Sequence, residues 1–97
     1  MELLIVGLGS MGMRRARLAK GMDASVKVSG VDFAAARREE AEGLGITAYE
    51  SIGAAVAAKK FDAALVCTAP LTHAKIIGEL LDAGLPVFTE LNLVDDV

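Results

Sequence analysis

Short apolar runs alternate with longer segments of mixed polarity along this 97-residue chain. Residues 3–6 are continuously apolar and residues 61–69 nearly so, which predicts strands that are buried on both faces. Residues 26–32 alternate between apolar and polar side chains and predict a further strand. Two shorter segments, residues 46–49 and 86–89, complete a set of five predicted strands.

Helices are predicted in the four intervening segments. Residues 11–21 repeat apolar side chains at three- and four-residue steps, and residues 34–43 are strong helix formers that end at a glycine. Ser51 is placed to cap a third helix that runs to about residue 59. The fourth helix, residues 72–84, carries an apolar stripe along one face.

Together these segments predict the order βαβαβαβαβ. Strands that are buried on both faces and joined by helices form a parallel sheet with right-handed crossovers. The expected fold class is therefore α/β, with a doubly wound parallel sheet. Residues 1–97 contain no linker, internal repeat or low-complexity tract, so we interpret them as one domain, truncated where such a fold usually continues with more strands.

The charge balance and the single cysteine exclude several classes of partner and location. Ten Lys and Arg residues against thirteen Asp and Glu residues give a net charge of −3, whereas nucleic acids and anionic membranes attract concentrated positive charge. No run approaches the roughly 18 apolar residues of a membrane-spanning helix. Cys67 has no cysteine partner for an intrachain disulfide. We therefore expect a cytoplasmic protein that binds neither nucleic acid nor membrane.

A glycine-rich loop carries the sharpest chemical signal. Gly7, Gly9 and Gly12 form the pattern G-x-G-x-x-G between a predicted buried strand and a predicted helix. In such a loop the first glycine permits a tight turn, the second lets a pyrophosphate approach the backbone, and the third lets the helix pack against the strand. The helix amino terminus adds free N–H groups and partial positive charge. The pattern favours a Rossmann-like dinucleotide-binding domain over a turn that serves packing alone.

An aspartate at the end of the second strand predicts the choice of cofactor. Asp32 lies twenty residues after Gly12, where a carboxylate accepts hydrogen bonds from the adenosine ribose and repels a 2′-phosphate. This position favours NAD over NADP, with a solvated turn aspartate as the alternative. Arg37 and Arg38 are close enough in sequence to reach a 2′-phosphate, but we interpret them as the exposed face of the second helix.

The remaining candidates for chemistry are few. His73, the single histidine, follows the fourth strand at the carboxyl end of the sheet, where open α/β sheets bind ligands, and is a candidate acid or base or simply a polar residue of the first helical turn. It has no second histidine or cysteine pair beside it, so no metal site is expected. Cys67 is predicted to be an inert core residue. Arg14, Arg15 and Arg17 are interpreted as solvated helix surface rather than a pyrophosphate or partner contact.

Taken together, these residues resemble the amino-terminal domain of the glucose–fructose oxidoreductase, inositol dehydrogenase and rhizopine catabolism family (Gfo/Idh/MocA). The resemblance extends over nearly the whole chain. It includes the glycine loop, Asp32 and Tyr49, followed by P-x-x-H at residues 70–73 and A-G-x-P-V-F-x-E at residues 83–90. The last two motifs are much more specific than the glycines.

The resemblance implies an NAD(P)-dependent oxidoreductase that transfers hydride between a nicotinamide cofactor and a polyol- or sugar-like carbinol. The implied cofactor-binding residues are Gly7, Gly9, Ser10, Met11, Gly12, Asp32, Thr68, Pro70 and Glu90. Family members normally follow the glutamate with a lysine that assists proton transfer beside the nicotinamide, but here Leu91 and Asn92 follow Glu90. His73 is then the candidate catalytic residue within this chain.

The family's second domain, which carries the substrate residues and the oligomer interface, is absent from these 97 residues. We therefore expect the chain to bind NAD with little turnover and to form a homo-oligomer through the carboxyl-terminal edge of its sheet. One alternative is a regulatory module that senses NAD through the same loop and acid, which the missing lysine favours. Another is a β-hydroxyacid dehydrogenase, although such enzymes more often have an Asn-Arg pair where Asp32 and Phe33 stand.

Overall fold

The computed structural model describes residues 1–22, 25–67 and 70–89. Within these residues, five strands alternate with four helices. The strands are β1 (Glu2–Val6), β2 (Lys27–Val31), β3 (Thr47–Tyr49), β4 (Ala63–Val66) and β5 (Val87–Thr89). The helices are α1 (Ser10–Met22), α2 (Ala35–Gly43), α3 (Ile52–Ala58) and α4 (Pro70–Asp82). The predicted α/β fold and its element order are confirmed.

The five strands form one parallel sheet in the order β3-β2-β1-β4-β5. The chain winds outward from β1 to β3 and then returns to place β4 on the other side of β1. Val6, at the end of β1, is in register with Val31 of β2 and Val66 of β4. The three central strands therefore end together, and the segments that follow them emerge at the same edge of the sheet. Open α/β sheets bind ligands at such a switch point.

Both faces of the sheet are covered, as the continuous apolar run in β1 predicts. Alternate residues of a strand point to opposite faces, so Leu4 and Val6 enter one core cluster and Ile5 enters the other. The first cluster lies under α3 and α4 and includes Ile52, Ala55 and Leu80. The second lies under α1 and α2 and includes Met13, Ala16 and Ala41.

Local signals explain where several helices begin and end. The Ser51 hydroxyl accepts a hydrogen bond from the Ala54 N–H at 3.0 Å, so the predicted cap of α3 is confirmed. Gly84 has a φ of +80°, and the Leu85 N–H beyond it donates to the Leu80 carbonyl at 3.0 Å. This geometry ends α4 and turns the chain into β5.

Most predicted boundaries lie within one residue of the observed ones, but those of α4 and β4 differ by more. Helix α4 begins at Pro70 rather than Thr72, because proline has no N–H to lose at the first helical position and its fixed φ suits a helix. Strand β4 covers Ala63–Val66, so Phe61, Asp62 and Cys67 of the predicted strand lie outside it, and residues 68–69 lie outside the described residues. It ends there because its partner β1 ends at Val6 and turns into the glycine loop, which leaves Cys67 beyond the ladder.

Candidate functional site

The glycine loop connects β1 to α1 at the carboxyl edge of the sheet. Gly7 has a φ of +98°, a conformation that side chains with a Cβ rarely adopt, and its N–H donates to the Val31 carbonyl at 2.8 Å. A Cβ on Gly12 would lie 1.8 Å from the Gly7 carbonyl oxygen. The first turn of α1 therefore rests against the loop backbone, and this close approach requires glycine at position 12.

Gly9 has a different environment from Gly12. A Cβ at this position would lie 3.6 Å from the nearest atom, Nη1 of Arg37, which is an ordinary van der Waals distance. The fold itself therefore tolerates a side chain here. Packing therefore does not account for glycine at position 9, and the approach of a ligand to this backbone stays a prediction of the fingerprint.

Asp32 connects the end of β2 to the glycine loop. Its Oδ2 accepts a hydrogen bond from the Leu8 N–H at 2.9 Å, and its Oδ1 accepts one from the Ala34 N–H at 2.9 Å. Only 6% of the residue is exposed. The alternative of a solvated turn aspartate is therefore wrong. Sequence spacing predicted the position of Asp32 but not its contact with Leu8, 24 residues away.

Arg37 and Arg38, near the start of α2, both contact Asp32. Arg37 Nη1 lies 3.4 Å from Asp32 Oδ2, and Arg38 Nη1 donates to the Asp32 backbone carbonyl at 2.9 Å. Arg37 is exposed as interpreted, with 57% of its side chain accessible, whereas Arg38 is half-buried, and both also contact Asp32. Side chains in a helix tilt toward its amino terminus, so residues near the start of α2 can reach back to the end of β2.

These groups line a cavity of about 590 Å³. Its lining includes Gly7, Gly9, Asp32, Phe33 and Arg37, together with residues that follow β3 and β4. This volume lies within the range of small-molecule and cofactor sites. The cavity also occupies the switch point of the sheet, which is the expected location of a ligand in this topology.

Cys67 also lines this cavity, contrary to its predicted place inside a strand. It follows β4, it is half-buried, and its Cβ lies 3.6 Å from the position of a Cβ on Gly12. Its N–H donates to the Val6 carbonyl at 2.8 Å, which holds the chain at the carboxyl end of β1. Cys67 lies outside the strand because β4 ends at Val66.

The other predicted site residues are described less completely. Thr68 and Glu90 lie outside the described residues, as do the side chains of Ser10, Met11, Pro70 and His73. The backbone of α4 places Pro70 and His73 in the first turn after β4, at the same edge of the sheet as the glycine loop.

The arginine run of α1 does not contribute to this cavity. Arg14 and Arg17 are exposed and Arg15 is half-buried, and none of the three is part of the lining. Within residues 1–22, 25–67 and 70–89, no group of three or more His, Cys, Asp or Glu side chains is placed to hold a metal ion. Among the helices of those residues, none is long and apolar enough to cross a bilayer.

Comparison with known proteins agrees with this geometry. A family model described as an oxidoreductase family with an NAD-binding Rossmann fold matches residues 1–94. The rhizopine catabolism protein MocA of Rhizobium meliloti is 33% identical over 90 residues, which are 92% of this chain and 28% of that protein. This chain thus spans less than a third of the length of that curated relative.

Two solved structures have closely similar folds. An NAD-binding protein from Listeria innocua has a TM-score of 0.82 and 35% identity, covering 95% of this chain and 27% of that one. A myo-inositol 2-dehydrogenase from Lactobacillus plantarum has a TM-score of 0.80 and 26% identity, covering 99% of this chain and 31% of that one.

Proposed function

The chain belongs to the Gfo/Idh/MocA oxidoreductase family, whose amino-terminal domain is an NAD-binding Rossmann fold, and we propose that it binds NAD in the cavity beside its glycine loop. The resemblance inferred from the motifs is thereby confirmed, and the family match gives no support to a regulatory module. The buried Asp32 carboxylate, at the end of β2 and hydrogen-bonded to the loop, is the observation that carries the proposal.

The chain's own groups suit the parts of a dinucleotide. The half-buried backbone at Gly9 and the amino terminus of α1 would hold the pyrophosphate, because the N–H groups of a first helical turn have no partners within the helix. Asp32 suits the adenosine ribose. Cys67 and the start of α4, at the same edge of the sheet, would hold the nicotinamide. When bound, the cofactor supplies the hydride chemistry, while the protein supplies position and electrostatics.

We propose NAD rather than NADP as the preferred cofactor. The Asp32 carboxylate lies where the adenosine 2′-substituent would be, and its negative charge opposes a 2′-phosphate. Arg37 reduces this opposition in part, because its guanidinium is 3.4 Å from the same carboxylate. Arg37 does not abolish the repulsion of a 2′-phosphate, since its contact with Asp32 is long and more than half of the Arg37 side chain is solvated.

We further propose that a dehydrogenase containing this domain acts on a polyol- or sugar-like carbinol. The support is the similarity to a myo-inositol 2-dehydrogenase and to a rhizopine catabolism protein. This chain covers 28% of that relative, and the family resemblance implies that the substrate residues lie in a second domain of such an enzyme. The chain alone is expected to bind cofactor with little turnover.

Titration with NADH and NADPH, by fluorescence or calorimetry, tests the proposal. We expect NADH to bind at least about tenfold more tightly, which corresponds to about 1.4 kcal/mol. The Asp32→Asn variant should lose most of this preference, because it removes the charge but keeps one acceptor oxygen. Failure of the chain to bind either nucleotide would reject the proposed function. Equal or tighter binding of NADPH would reject only the cofactor choice.

A further inference from the structure

A second cavity lies at the edge of the sheet opposite to the glycine loop. It has a volume of about 250 Å³, and its lining includes Lys27, Ser29 and Thr47, at the beginnings of β2 and β3. Lys20, in the last turn of α1, and Lys59, directly after α3, complete its polar lining. Because parallel strands begin at one edge of a sheet and end at the other, this cavity is separate from the site proposed for NAD.

The strand register places three polar side chains of this lining on one face of the sheet. Ser29 is in register with Leu4 of β1 and with Thr47 of β3. Lys27, two residues before Ser29, lies on the same face because side chains alternate along a strand. Leu4 belongs to the first core cluster. Strands of a covered parallel sheet are normally apolar on this face, so the polar group requires an explanation.

Ser29 is the least expected member of this group. Only 2% of the residue is exposed, yet within residues 1–22, 25–67 and 70–89 its hydroxyl makes no hydrogen bond. A buried polar group without a partner destabilises a fold. The Thr47 hydroxyl and the Lys27 ammonium also have no hydrogen-bond partner among the described residues. The cavity therefore contains three hydrogen-bond donors that the described protein groups do not use.

The two other lysines add positive charge at fixed positions. Lys20 Nζ donates to the Leu44 carbonyl at 2.7 Å, and Lys59 Nζ lies 3.5 Å from Glu2 Oε1. Together with Lys27, the lining carries three ammonium groups, and Glu2 is the one carboxylate among the described residues that pairs with them. This concentration of positive charge stands in a chain whose net charge is −3. The cavity is therefore suited to an anion.

We propose that this cavity is a second binding site, which takes a phosphate group, either as the free ion or as a small phosphomonoester. Lys27 and the hydroxyls of Ser29 and Thr47 donate hydrogen bonds to the phosphate oxygens, while Lys20 and Lys59 contribute charge. Phosphate oxygens are strong acceptors, which suits a lining of ammonium and hydroxyl donors. The volume of about 250 Å³ is below the range of cofactor sites, so the ligand is smaller than a dinucleotide.

Calorimetric titration with inorganic phosphate and with glycerol 3-phosphate, at an ionic strength held constant with sodium chloride, tests the site. We expect saturable binding of one molecule per chain for at least one of the two probes. Tighter binding of inorganic phosphate would identify the free ion as the ligand, and tighter binding of glycerol 3-phosphate would identify a phosphomonoester. Saturable binding of neither probe would overturn the proposal.

Three variants locate the binding. Ser29→Ala and Lys27→Met should each weaken phosphate binding by about tenfold or more. Lys75→Met is the matched control, because it removes the same charge from an exposed position of α4 outside the cavity, and it should keep the wild-type affinity. In phosphate-free buffer, Ser29→Ala should unfold at the same or a higher temperature than the wild type, since it removes a buried hydroxyl without a partner.

Two further results would overturn the site. One is an unchanged phosphate affinity in both Ser29→Ala and Lys27→Met. The other is an equal loss in Lys75→Met and Lys27→Met, which would mean a response to net charge alone. NADH affinity should be the same in all three variants and the wild type, because the two cavities are separate. Failure of the wild-type chain to bind NADH would reject the proposed function and leave this test of the phosphate site unaffected.

Discussion

At the scale of single residues, Gly9 and Gly12 differ although they belong to one motif. Alanine at position 12 meets the Gly7 carbonyl oxygen, whereas alanine at position 9 meets only the flexible end of Arg37. We therefore expect Gly12→Ala to lower the free energy of unfolding by about 3 kcal/mol. Gly9→Ala should fold normally and bind NADH more weakly, because its methyl group stands where the pyrophosphate approaches.

Denaturant unfolding and NADH titration of Gly12→Ala and Gly9→Ala test these two predictions. Each variant serves as the control for the other, since the substitution and the loop are the same. Wild-type NADH affinity in a folded Gly9→Ala variant would mean that Gly9 is only a turn residue. Full stability of Gly12→Ala would contradict the close approach of α1 to the loop.

His73 is the candidate within this chain for the acid or base of a complete enzyme. Proton transfer at a carbinol needs a group that titrates near the working pH, and imidazole ordinarily does so with a pKa of about 6.5. Leu91 and Asn92 offer no such group. We predict that His73, or a residue outside these 97, is the acid or base.

The corresponding measurement uses a His73→Asn variant of a full-length dehydrogenase that contains this domain. We expect turnover to fall by about 100-fold or more across pH, while NADH binding stays intact. Full turnover with an unchanged pH profile would exclude His73 from this role and leave the proton transfer to the rest of the enzyme.

At the scale of elements, the two glycines of the α4 region are expected to respond oppositely to alanine. Gly78 lies within the helix and a Cβ there meets nothing within 4 Å, so Gly78→Ala should stabilise the chain by about 0.5–1 kcal/mol. Gly84 has a φ of +80°, so Gly84→Ala should destabilise it by about 1 kcal/mol.

Thermal or denaturant unfolding of both variants distinguishes these effects. Both variants add the same methyl group. Opposite changes in the free energy of unfolding would therefore come from the different backbone conformations of the two positions. Stabilisation by Gly84→Ala would contradict the left-handed turn that joins α4 to β5.

At the scale of the whole molecule, the described residues leave an aromatic side chain exposed at the β5 edge of the sheet. Within the described residues β5 pairs with β4 alone, and Phe88 of β5 is 61% exposed beside the half-buried Leu65. An edge strand with an exposed aromatic side chain is a template for association. We predict that the chain forms a two-fold dimer through this edge.

Light scattering at high micromolar concentration should therefore give a mass above that of the monomer. Phe88→Glu should shift the chain to monomer, whereas Leu44→Glu, a similar change at another exposed apolar side chain, should not. A monomeric wild-type chain at these concentrations would contradict the prediction. The apolar Leu91, Leu93 and Val94, which follow β5 in the sequence, lie outside the described residues.

The sequence by itself determined the elements, their order and the location of the site. The apolar run of β1, the cap at Ser51 and the spacing from Gly12 to Asp32 are local patterns, and local patterns follow the geometry of single strands, helices and turns. Buried strands joined by helices admit few topologies, so the parallel sheet and its ligand-binding edge could also be predicted.

Only the tertiary structure decided which groups meet at that edge. Cys67 enters the cavity because the length of β4 depends on where its partner β1 ends. The buried Asp32 accepts a hydrogen bond from a backbone N–H 24 residues earlier, and the Arg37 guanidinium of α2 lies beside Gly9 of the loop. Such contacts join residues that are distant in sequence, and their distances depend on how strands and helices pack rather than on the properties of any one segment.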